Sequence, residues 1–202
     1  MIWSTTAIQD ASIYEIDPYR NAGLDEILEI GSGLDSDTNE PVEIRSLIKF
    51  DTTQIASILS TENINSGSIK AVISLRSVQS SGLPLQYTLQ AIAISGSWTN
   101  GTGYASYPTG ILSSTDISDG VSWMYSQGSG STEWNTIATT TSGVTGSYNT
   151  NRGGGAWSTS LKGTSSFSYK QNNNVNIDIT TIVKAWLSGS LVNNGVILSL
   201  YN

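Results

Sequence analysis

Apolar and polar residues alternate most clearly over Val42-Glu43-Ile44-Arg45-Ser46-Leu47-Ile48-Lys49-Phe50, the period-2 signature of a half-buried strand. The C-terminal end carries three patterns in succession. Val175, Ile177 and Ile179 alternate with polar residues and predict a strand. Thr180 then predicts the cap of a short helix with Ile182, Val183, Trp186 and Leu187 on one face and Gly189 just past its end. Asn193-Asn194-Gly195 is a turn signal, and Val196 to Leu200 predicts a closing buried strand that completes the domain.

Earlier segments are weaker. Thr5 to Tyr14 predicts a strand with a polar face, and Asp17 to Gly23 a loop built on turn residues. Leu24, Ile27 and Leu28 fit a helical turn, but Leu28 and Ile30 beside Gly31 favour a strand, with Gly31 to Glu40 a polar loop. Gln54 to Leu59 fits one helical turn. Ile69 to Val78 and Leu85 to Ile92 predict two strands paired with each other across the Ser80–Pro84 loop. Short strands, frequent turn signals and little helix predict an all-β antiparallel sandwich spanning 1–202 as one domain. Its long Gly/Ser/Thr/aromatic loops fall within residues 96–165, and its one short helix lies near the C-terminus.

Composition narrows the chemistry. The chain has no cysteine and no histidine, which removes thiol chemistry, His-based triads and the usual zinc sites. Its net charge of −7 includes only nine Lys and Arg, no footprint for nucleic acid. No apolar run is long enough for a helical membrane span. The start at Met1 lacks a basic and apolar leader, so we expect either a protein cut after its leader or one made in the cytoplasm and released within a particle.

The short motifs are similar, in order, to those of the DNRLRE (disaggregatase-related) domains, which are classed with carbohydrate-binding modules. Arg45-Ser46-Leu47-Ile48-Lys49-Phe50-Asp51 resembles that family's R-S-L-L-x-F-D strand, and Ile8 to Ile13 its opening D-A-x-I strand. Ile69 to Leu75 resembles its I-x-x-A-x-L-x-L strand, with Ala71 shifted. Trp98-Thr99-Asn100-Gly101-Thr102-Gly103 resembles its W-x-E-G-x-G loop, with Asn100 where an acid is usual. Gly120-Val121-Ser122-Trp123, the lone Trp134, Val175 to Leu187 and Asn194-Gly195 follow in order, and Ser142 to Gly163 reads as an insertion. The resemblance implies a jelly-roll β-sandwich, of the kind found in secreted polysaccharide-active proteins and in virion structural proteins of tailed phages.

The candidate functional region is the aromatic-rich middle. Indole and phenol rings stack on the apolar face of a sugar while Ser, Thr and Asn satisfy its hydroxyls. Trp98, Trp123, Trp134 and Trp186 read first as core anchors. Tyr104, Tyr107, Tyr125, Tyr148 and Trp157 are the candidates for an exposed glycan-binding or protein-interface surface. Ten of the sixteen acids lie in residues 1 to 43, and Asp35, Asp37 and Asn39 alternate like the start of a calcium loop, open to Asp10 or Asp17. That loop lacks the glycine and the bidentate Glu of an EF-hand, and a solvated acidic loop is the plainer reading. Arg45, near Glu43, reads as a paired structural charge, Asp116 to Gly120 as a turn, and Gly153-Gly154-Gly155 as a flexible tip.

No two acids are placed across a cleft, so a non-enzymatic protein is expected, ahead of a glycoside-cleaving enzyme. The expected role is a virion structural or decoration protein that contacts neighbouring subunits, within an oligomeric assembly, and glycans. The alternative is a carbohydrate-binding module of a secreted, polysaccharide-active protein.

Overall fold

The computed structural model describes residues 2–78, 86–104, 119–128, 132–134, 153–168 and 174–201. Eight strands and two α-helices are set in these residues: β1 (Ala7–Tyr14), β2 (Gly31–Leu34), β3 (Pro41–Phe50), α1 (Thr53–Thr61), β4 (Val72–Arg76), β5 (Tyr87–Ile94), β6 (Trp157–Phe167), β7 (Asn174–Asp178), α2 (Thr180–Leu187) and β8 (Val196–Leu200). All pairings are antiparallel. The six-stranded sheet runs β1-β3-β8-β5-β6, with β2 also paired to β3, and β4-β7 forms a second, two-stranded sheet. The all-β antiparallel sandwich is therefore the fold.

Strands β5 and β8 are central, with a neighbour on each side and both faces covered. Their sequences read accordingly as almost unbroken apolar runs rather than alternations. Leu89, Ala91, Ala93, Val196 and Leu198 point to one face, with Ile48 of β3. There they meet Ile73 of β4, Val175 and Ile177 of β7, and Ile182, Val183 and Trp186 of α2. Ile92, Ile94, Ile197, Leu47, Ile13 and Ala11 point to the opposite face, where the cover is Trp98, Val121, Trp123, Trp134, Ala156 and Trp157.

Two α-helices stand where one short helix near the C-terminus is expected, because the turn over Gln54–Leu59 extends to Thr53–Thr61. Four further expectations about elements are corrected. Leu24 to Ile30 is not a strand: hydroxyls replace the ladder, with Glu29 N–H donating to Ser12 Oγ (2.8 Å) and Ser46 Oγ donating to Glu29 O (2.7 Å). Leu28 and Ile30 still pack on the core, and Gly31–Leu34 is the strand. The strands around Ile69–Val78 and Leu85–Ile92 do not pair with each other, since β4 pairs β7 and β5 lies between β8 and β6. The stretch 96–165 is not all loop, because β6 begins at Trp157 and pairs along β5 from Ile94 to Tyr87. This also places the end of the expected insertion in the sheet.

The fourth correction is local. Thr180 is the first helical residue rather than the cap, and Asp178 Oδ1 accepts its N–H at 2.9 Å. The Thr180 hydroxyl instead accepts from Ala71 N–H at 2.9 Å, tying α2 to the chain entering β4. At the other end of the helix Gly189 takes φ +73°, as its position past the last turn predicts.

Candidate functional site

The loops over the second face are held by single, specific contacts. Trp98 Nε1 donates to Asn194 O (2.7 Å), so the turn before β8 is fixed to the loop after β5. Trp134 Nε1 donates to Ser122 O (2.9 Å), and Trp134 N–H to Met124 O (3.1 Å). With Ser126 N–H donating to Thr132 O (2.8 Å), residues 122–126 and 132–134 face each other as two bridged segments, Trp123 and Trp134 both buried. Trp98, Trp123, Trp134 and Trp186 are all buried, as the core-anchor reading expects.

Beneath this loop lies Arg45, 2% exposed. Its guanidinium carbon sits 4.7 Å from the centre of the Trp123 ring and 5.1 Å from that of Trp157. Nη2 pairs with Glu43 Oε2 at 2.7 Å, Nε donates to the same oxygen at 2.9 Å, and Nη1 donates to Gly154 O at 2.7 Å. A planar cation between two indoles, with carboxylate and carbonyl at its edge, is a satisfied arrangement for a buried charge. Arg45 is thus the paired structural charge that its sequence context predicts.

Gly154 N–H donates to Trp123 O at 2.6 Å, and its φ of +77° leaves no room for a Cβ between Arg45 and Trp123. The Gly153–Gly155 run is therefore buried packing, which corrects the flexible-tip reading.

A second tie is built on Asn21, also 2% exposed. Its Nδ2 donates to Asn100 O and Val121 O (both 2.7 Å), and its Oδ1 accepts from Gly103 N–H (2.7 Å) and Gly23 N–H (3.3 Å). Asn100 in turn donates to Gly23 O and accepts Asp10 N–H at 2.9 Å. An amide, with both a donor and an acceptor, does at position 100 what an acid could not. The Trp98–Gly103 motif is in this way absorbed by packing. Asp119 accepts from Thr102, and Gly120 takes φ +79°, so that end of the expected 116–120 turn is structural too.

At the outer side of the loop of Trp123 and Trp134 the exposed Tyr19 stands beside the half-buried Tyr125. Asp17-Pro18-Tyr19-Arg20 forms a tight turn closed by Arg20 N–H to Asp17 O (3.1 Å), with Pro18 at the position whose φ it pre-sets. Pro18 O accepts Met124 N–H at 2.9 Å, which docks the turn on the tryptophan-pinned loop. The Tyr19 and Tyr125 rings are thereby held with centroids 6.0 Å apart and planes tilted by 35°. Tyr19 is 57% exposed and Tyr125 half-buried. Asp17 and Arg20 pair at 2.8 Å beside Tyr19, and Glu133 stands opposite Tyr125 across a β-bridge, so both side chains share a face.

The sequence candidates divide as follows. Tyr125 lies at this surface. Tyr104 is half-buried beside Gly103 and keeps a contact of its own. Tyr107 and Tyr148 lie outside the described residues. Trp157 is corrected: at 5% exposed, its ring is under Arg45 and is no part of an outer surface. Tyr19 was not among the candidates, because it sits in a short turn far in sequence from the aromatic middle; only the Pro-Tyr pair in an exposed turn marked it.

The acidic loop of Asp35, Asp37 and Asn39 is held by hydrogen bonds of its own. Asp35 Oδ1 accepts Asp37 N–H (2.8 Å) and Thr38 N–H (3.0 Å), and these donors hold its carboxyl below the usual range. Asn39 takes a left-handed φ of +59° and closes the turn onto Asp35 O at 2.9 Å. The acids of this loop shape the β2–β3 turn, and among the described residues no three acidic side chains gather to hold a metal. Asp10 lies on β1 and Asp17 pairs with Arg20, neither joining that loop in a metal-holding group.

Among the described residues no helix is long and apolar enough to cross a membrane. No family model, curated protein or solved structure matches the chain in comparisons. The likeness to the DNRLRE domains therefore rests on the motifs themselves.

Proposed function

We propose that the chain is a non-enzymatic structural protein of a virion or similar extracellular particle, a decoration or appendage subunit that presents a rigid loop end to neighbouring subunits or surface glycans. The observation that carries this reading is the use of the tryptophans. Four of the six are core anchors and a fifth stacks on a buried arginine. Trp98, Trp123, Trp134 and Trp157 hold the described loop residues of the second face in place, and a preformed surface lowers the ordering cost of any contact made there. The Gly/Ser/Thr-rich, weakly charged chain suits a surface exposed to solvent and to other copies.

The test is biochemical fractionation of the source material. A particle subunit bands with intact particles in a density gradient and survives a high-salt wash. Recovery of the chain only as a soluble segment joined to a polysaccharide-active domain would instead support the second reading, a carbohydrate-binding module. That second reading is favoured by one specific feature, the exposed Tyr19 beside the half-buried Tyr125.

A further inference from the structure

We infer that the Tyr19–Tyr125 pair, with Glu133 at its edge, is a binding site for an uncharged pyranose of a glycan. This rests on the reading, common to both functions above, that the loop end is a contact surface. Three observations support it. The rings are preorganised: a turn closed on itself holds one, a loop pinned by Trp123 and Trp134 holds the other, and the Met124–Pro18 hydrogen bond joins them. Binding there costs little ordering of protein. Tyr19, 57% exposed, and the half-buried Tyr125, 6.0 Å from it, leave aromatic surface in reach of something small and edged with C–H groups.

The surroundings select the class. A protein hot spot sits in a dry apolar centre ringed by further contact surface. Among the described residues, Asp17, Arg20 and the exposed Glu133 stand beside the rings. Phenol hydroxyls and a carboxylate satisfy sugar hydroxyls without needing a large buried area. Arg20 is already paired with Asp17, and Glu133 adds negative charge beside Tyr125 on a chain of net charge −7. A uronate or sulfated sugar is repelled, while a hexose or an N-acetylhexosamine is not.

The experiment uses the full chain on an array of neutral, acetamido and uronate oligosaccharides. Nuclear magnetic resonance titration follows with the array hit and with a galacturonate hexamer. The expected result is binding of a neutral or acetamido sugar, with the largest shifts at Tyr19, Tyr125 and Glu133. Tyr19→Ala and Tyr125→Ala each weaken it by about tenfold or more, the scale of one lost stacking contact. Tyr19→Phe retains most of it, and a dispersed amide spectrum controls for folding of each variant. Glu133→Gln keeps the neutral ligand and reduces discrimination against galacturonate. A flat array, preference for the uronate, a proline-rich or other protein ligand as the only partner, or shifts confined to another surface would each overturn the site. Particle fractionation is read separately, so loss of the site and loss of the structural role are distinguishable.

Discussion

On one face of the six-stranded sheet the cover is β4, β7 and α2, regular elements whose Ile73, Val175, Ile177, Ile182 and Val183 interlock with aliphatic residues of the sheet. On the other face the cover is loop, and the same job falls to tryptophans, a buried arginine, a buried asparagine and glycines at positive φ. The two faces differ in how replaceable their parts are. An aliphatic layer tolerates a change of shape because its neighbours can shift. A loop layer depends on polar groups that have few substitutes, because each buried donor or acceptor left alone costs on the order of 1–3 kcal/mol.

The sharpest break in this comparison is Arg45→Ala. It removes the cation between Trp123 and Trp157 and strands the Glu43 carboxylate and Gly154 O. We expect a loss of about 3–5 kcal/mol, the cost of breaking a buried ion pair from one side, read as a lower urea midpoint. Asn21→Ala comes next at about 2–4 kcal/mol, since it leaves buried groups of Val121, Asn100 and Gly103 without their partner. Hydrogen exchange should then speed up first at Gly103 and Gly23, whose N–H groups lose Asn21 Oδ1, while β5 and β8 stay protected. On the regular face Ile182→Val removes one methylene from a fully buried helix residue and should cost only about 1 kcal/mol. If it costs more than Asn21→Ala, the contrast between the faces is wrong.

The smallest effect is that of pH. Asp178 has its carboxyl held below the usual range by the Thr180 hydroxyl and N–H, and Asp51 likewise by Thr53. A folded-state value below the unfolded one contributes stability that is complete above about pH 4 and fades as pH falls through the folded value. Asp10 runs the other way, because burial raises it and its protonation at low pH favours the folded state. Denaturation midpoints compared at pH 7 and pH 3 should fall slightly, and Asp178→Asn should flatten part of that fall. An unchanged slope in that variant would remove Asp178 from the account.

The contrast also explains what the sequence revealed. β3, β7 and α2 were legible because a period of two or of 3.6 in apolar residues is a property of the sequence itself, and β8 because an apolar run follows the Asn-Asn-Gly turn signal. β6 was not: Ser160, Lys162, Thr164 and Ser166 face solvent, Gly163 lies close against Asp178, and among its described side chains Trp157 and Phe167 at its ends are the buried ones. Its composition matches the loops around it. Arg45 as a paired charge and the four tryptophans as anchors were legible from residue type. The partners that Asn21 and Gly154 find, 79 and 109 residues away, were not, since no local pattern encodes a contact at that distance. The same holds for the candidate site: Tyr125 stood out among aromatics, whereas Tyr19 becomes relevant only once the fold sets it beside Tyr125.

Native-state hydrogen exchange tests most directly whether the loop face is an integral wall of the domain. The amides of Val121, Met124, Trp134 and Gly154 bond to Thr99 O, Pro18 O, Met124 O and Trp123 O, and all lie in loops. They should exchange with protection comparable to that of Ala91 in β5 and Leu198 in β8, and slow with them as one unit. Exchange of these four at the rate of an open chain, while Ala91 and Leu198 remain protected, would contradict the pinned loop layer and the aromatic surface built on it.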